Sequence, residues 1–200
     1  MADQTFTAGQ ILTAAQMTTL QSNAGLTPMT PSSVSGTGVT IVGNTTTIAA
    51  ASTASINGVF TSAYTNYLVI YNLTAATTYM RLRLKTASAD ISTSYGATMA
   101  YIVDNSTAWS WLNAGAVSWN ATNWLISNGV SGVYGQIMVF NPNLAANTWI
   151  DGSANAFNST NSAKLTFGGR NAGTDQATGL TLFPDSGTFT GTVTVYGYRK

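Results

Sequence analysis

Apolar and polar residues alternate with period two along much of this chain, most clearly between residues 66 and 85. There Met80, Leu82 and Leu84 are interleaved with Arg81, Arg83 and Lys85. An extended segment with that pattern turns its apolar set to a core and its cations outward. Wound as a helix, the same residues would put Arg81 and Lys85 on one face with apolar residues on both sides, which makes a poor amphipathic stripe. Residues 67–71, just upstream, form an aromatic and β-branched run of strand type. A Thr/Ala link separates the two runs, which predicts an antiparallel pair with a short connection.

The same pattern predicts strands at 38–42, 46–51, 55–60, 67–72, 78–85, 95–102, 108–112, 123–126, 135–140, 147–151, 163–167, 179–183 and 191–198. Turn formers separate them, among them Gly43-Asn44, Asp104-Asn105-Ser106, Asn128-Gly129, Asn141-Pro142-Asn143 and Asp185-Ser186-Gly187. Many short strands without a repeat of fixed length predict a mainly β protein. The expected fold is an antiparallel β-sandwich, jelly-roll-like, rather than a propeller or β-helix.

One helix is expected, over residues 13–23. Thr13-Ala14-Ala15-Gln16 fits a capping box, Leu12 and Met17 fall at the positions of a hydrophobic staple, and Gly25 suits the residue beyond the end. About ten residues of helix do not hold alone in water, so this one must dock on its own domain or on another protein. Residues 27–36 contain Pro28, Pro31 and several Ser, Thr and Gly, and read as a linker. The expected organisation is therefore an arm over 1–26, a linker over 27–36 and a sandwich over 37–200.

Composition sharpens this. Charged residues make up 6% of the 200, against roughly 25% in ordinary soluble domains, and Thr, Ser, Asn and Gly supply the missing polarity. So uncharged a surface repels its own copies poorly, which favours self-association. The net charge of +1 and the absence of any basic block argue against nucleic acid as a partner. The longest apolar runs are about five residues, against the roughly twenty needed to span a bilayer. The first ten residues carry Asp3 and no basic segment, unlike a secretory signal.

The chain has no Cys, His or Glu, which leaves little for acid–base, thiolate or transition-metal chemistry. Of its six carboxylates, Asp90, Asp104, Asp175 and Asp185 sit in turn-like contexts. No catalytic residue, metal site or cofactor is expected. Tryptophan is the better signal. Trp109, Trp111, Trp119 and Trp124 lie close together, alongside Asn105, Asn113, Asn120 and Asn123. Flat rings with nearby amides are what a sugar-binding surface needs, and equally these rings could fill a core or a subunit interface. Arg81 and Arg83 could grip an anionic glycan or form a solvated strand face that discourages edge pairing.

Three segments carry a resemblance. Residues 5–21, TFTAGQILTAAQMTTLQ, resemble the opening of tailed-bacteriophage virion proteins, notably minor tail and fibre proteins. Residues 182–200, LFPDSGTFTGTVTVYGYRK, resemble the last strands of phage fibre-type β-sandwich domains, and residues 60–73, FTSAYTNYLVIYNL, fit the same domains. The resemblance implies a non-enzymatic phage structural protein on the virion surface, commonly homotrimeric. It would attach to other virion proteins through its N-terminal segment, with Phe6, Ile11, Leu12, Met17 and Leu20 as the anchoring side chains. Such a protein would be a short tail fibre or tip touching a host-surface glycan, with Trp109, Trp111, Asn113, Trp119, Trp124, Arg81 and Arg83 as candidate contacts. The alternative is a capsid decoration or head-fibre protein that covers the shell and has no receptor role.

Overall fold

The computed structural model describes residues 9, 11, 13–17, 25–75, 80–103, 106–116, 118–119, 132–157 and 162–198. Within them the alternating segments become fourteen strands. These are β1 (Leu26–Met29), β2 (Ser33–Ser35), β3 (Val39–Val42), β4 (Thr45–Ala51), β5 (Ala54–Asn57), β6 (Asn66–Ala75) and β7 (Met80–Lys85), followed by β8 (Tyr95–Val103), β9 (Ser106–Ala116), β10 (Gly132–Phe140), β11 (Thr148–Phe157), β12 (Ser162–Asn171), β13 (Gly179–Pro184) and β14 (Phe189–Tyr198).

The strands form two antiparallel sheets packed together as a sandwich. The larger has ten strands in the order β3-β4-β14-β6-β10-β11-β12-β8-β9, with β1 also paired to β14. The smaller runs β2-β5-β13-β7. The sandwich follows the expectation from sequence. Its unequal division, ten strands against four, departs from the even layers of a jelly roll. β14 holds the large sheet together. It pairs with β6 along its whole length, while β4 and β1 share its other edge in series, at Phe189–Thr194 and Val195–Tyr198.

Period-two alternation builds the core. Val69, Tyr71 and Leu73 of β6, Ile137 and Val139 of β10, Phe167 of β12 and Val193 and Val195 of β14 are buried from the large sheet. Ile56, Met80, Leu82, Leu84, Leu180 and Leu182 meet them from the small one. Two glycines make room for rings. A Cβ at Gly135 would collide with the Tyr71 phenol, and one at Gly152 with the Phe167 ring. Tyr67 ties a corner, since its hydroxyl accepts from the Thr61 amide and donates to the Thr61 carbonyl, both at 2.6 Å.

Three expectations are corrected or narrowed. β6 and β7 are not a hairpin pair: β6 lies in the large sheet between β14 and β10, and β7 pairs with β13 in the small one. Both bury an alternating apolar face in the same core, from opposite sheets, and that burial makes the same sequence pattern as direct pairing would. The stretch 27–36 is not a free linker. It carries most of β1, paired to β14, and all of β2, paired to β5, so among the described residues the sandwich begins at Leu26. Pro28 is tolerated because β1 is an edge strand that needs no donor on its outer side. Of the helix expected over 13–23, the described part is Ala14–Met17. Its capping box forms, with the Thr13 amide donating to Gln16 Oε1 at 2.9 Å and the Gln16 amide to Thr13 Oγ1 at 3.2 Å. The strand expected at 123–126 lies outside the described residues.

Candidate functional site

One face of the ten-stranded sheet rests on the core and the other faces away from it. On β6 the outward positions include Ile70 and Asn72, on β10 Tyr134 and Gln136, on β11 Ser153 and Asn155, on β12 Lys164, and on β14 Thr192 and Thr194. Directly opposed residues of an antiparallel pair share a face, so register aligns these side chains into rows. One row reads Thr192–Asn72–Tyr134–Asn155–Lys164, and the next Thr194–Ile70–Gln136–Ser153. Five strands at about 4.8 Å give the first row a span of roughly 19 Å.

The two rows line a shallow open groove of about 420 Å³ that includes Tyr71 and Gly135. Tyr134 stands in it with 54% of its surface exposed. Among the described residues, the side chains of Asn72, Gln136, Ser153 and Asn155 make no hydrogen bond, so their donors and acceptors are open to a ligand. Lys164 is the one charged side chain among the described lining residues. The groove therefore offers one aromatic face, several amides and hydroxyls, and a cation at one end. Such a set grips ring C–H groups and hydroxyls, and it holds no acid–base pair or nucleophile–base dyad.

The residues singled out from sequence fall elsewhere. Trp119 is completely buried, with its ring edge-to-face on Tyr95 at 4.8 Å and its Nε1 donating to the Arg170 carbonyl at 3.3 Å. Its backbone forms a two-bond bridge with Leu82 of β7. It is a core residue, which corrects its assignment as a glycan contact. Arg81 and Arg83 lie on the outer side of the small sheet, across the sandwich from the groove. Arg81 pairs with Asp185, while Arg83 is 3.9 Å from Asp90 and stacks over Phe183 at 4.6 Å. They do not join the groove. Asp90 also faces Lys85 at 4.0 Å and accepts from the Thr181 hydroxyl at 2.6 Å, so it serves the framework.

Trp109, Trp111 and Asn113 belong to β9, where register sets Trp109 opposite Ala100 and Trp111 opposite Thr98. The Trp109 position continues the row of Gln136 and Ser153 through Thr166 and Ala100. Ile11 is 89% exposed and Met17 is exposed. Phe6, Leu12, Leu20 and Trp124 lie outside the described residues.

Sequence reasoning missed Tyr134 and its amide neighbours. The local sign was present, since β10 alternates buried Val133, Ile137 and Val139 with Tyr134 and Gln136. Their assembly into a row was hidden, because it depends on register across five strands. Exposed Trp149, with the Arg170 guanidinium 5.9 Å from its ring centre, was missed for the same reason. Comparison with known protein families, with curated proteins and with solved structures returns no match.

Proposed function

We propose that this chain is a non-enzymatic structural protein of a tailed-phage particle, held by its N-terminal segment and presenting the sandwich to a host-surface glycan. The observation that carries the glycan part is the row Asn72–Tyr134–Asn155 with its unengaged amides on an open sheet face. A hydroxyl-rich, mostly uncharged ligand matches such a lining, and an open groove suits a chain better than a small enclosed molecule. The virion part rests on the resemblance of residues 5–21, 60–73 and 182–200, and the low charge agrees with a protein that packs against copies of itself, as in a homotrimer.

The test is binding of the labelled full-length chain to host cells and to immobilised host glycans. Tyr134→Ala removes the ring and leaves the core untouched, so a loss of at least about tenfold in affinity with an unchanged circular dichroism spectrum is expected. Unchanged binding by that variant, and loss instead in a Trp109→Ala/Trp111→Ala double variant, would move the contact surface to β9.

A second reading, a capsid decoration or head-fibre protein, is favoured by a different observation. Ile70, Ile102, Tyr134 and Trp149 are exposed on strands of the large sheet, an apolar set that suits burial against a shell. It predicts co-sedimentation with undecorated capsids and no binding to cells.

A further inference from the structure

We infer that the glycan taken by the groove is acidic, with Lys164 receiving its anionic substituent; this rests on the glycan reading above. Lys164 stands opposite Asn155, which stands opposite Tyr134, so the ammonium group belongs two strand spacings, roughly 10 Å, along the row from the ring. In a chain with seven cations, the framework uses the other described ones. Arg81 pairs with Asp185, Arg83 and Lys85 face Asp90, and Arg170 stacks on Trp149. Lys164 has no ion pair or hydrogen bond among the described residues, and no carboxylate lines the groove with it. On the far side its register neighbour is the exposed Ile102.

Lysines also guard sheet edges, but β12 lies inside the sheet between β11 and β8 and has no edge to guard. A lone cation beside a row of neutral amides therefore sets the sign of the groove. Lysine acts as a point charge and not as a planar fork, so it selects for negative charge without dictating the geometry of the group. A carboxylate and a sulfate ester share that chemistry.

The test uses the full chain against paired oligosaccharides of the same backbone: an oligouronate, its carboxyl-reduced neutral form and a sulfated neutral form. The expected result is a preference for the two acidic forms of roughly five- to tenfold over the neutral one, shrinking as salt is raised. Lys164→Gln should bring all three to the neutral affinity and remove the salt dependence, while Tyr134→Ala should weaken all three together. Preference for the uronate alone, or for the sulfate alone, would name the substituent. Equal binding of acidic and neutral forms, unmoved by Lys164→Gln, would overturn the acidic ligand and leave the glycan reading standing. Absence of binding to every member would sink both.

Discussion

Tyr71 has a hydroxyl sealed in the core with no hydrogen-bond partner among the described residues, and burial holds its pKa far above the ordinary phenol value. A buried polar group without a partner is destabilising, so Tyr71→Phe should raise stability by roughly 1 kcal/mol, read as a higher urea midpoint at unchanged slope. Tyr67 is the opposite case, because its hydroxyl satisfies both the amide and the carbonyl of Thr61. Tyr67→Phe should cost about 1–2 kcal/mol in the same assay. In sequence these two tyrosines look alike, four residues apart on one strand face. Trp119 likewise resembled Trp109 and Trp111 until its bridge to Leu82 placed it in the core. Trp119→Ala should cost about 3–5 kcal/mol, and its measurement would separate core loss from any loss of glycan binding.

At the scale of elements, alternation reports which side of a strand is buried but not which strand lies beside it. The strands themselves were largely legible for that reason, and the supposed hairpin of β6 and β7 was misread for the same reason. β1 was hidden differently. Its partner is β14, far downstream, and Pro28 with its Ser and Thr neighbours has the composition of a linker. The correction has a direct test by truncation. Removing residues 1–25 should change stability by no more than about 0.5 kcal/mol, because none of the described strands is touched. Removing residues 1–36 strips β1 from β14 and β2 from β5, takes away the partly buried Met29 and Val34 with them, and should cost roughly 2–4 kcal/mol by thermal or urea denaturation.

For the molecule as a whole, buried phenols make stability depend on pH. Tyr67, Tyr71 and Tyr95 all have pKa values raised above 10, each chiefly by burial. A raised folded-state pKa contributes stability that is complete below the unfolded value and lost as pH climbs past it. Stability should therefore hold up to about pH 9 and then fall above pH 10, by up to about 1.4 kcal/mol per pH unit for each tyrosine. Urea titrations at pH 8 and pH 11 would show it, and the difference between them should shrink in Tyr71→Phe. The sandwich class was visible from composition and alternation. The groove was not, since each of its strands shows one or two unremarkable polar residues until register aligns them.

The place of β14 bears on how the protein is made. It is the last described strand, yet it lies between β6 and the pair β4 and β1. During synthesis, β6 leaves the ribosome with one edge waiting for a strand that is still to be translated. At ordinary elongation rates that wait lasts roughly 5 to 25 s. Throughout it, an uncharged, β-prone edge is open to other nascent chains. The large sheet can close only once β14 has been translated, so the emergence of β14, and not local strand formation, sets the earliest moment at which that sheet is complete.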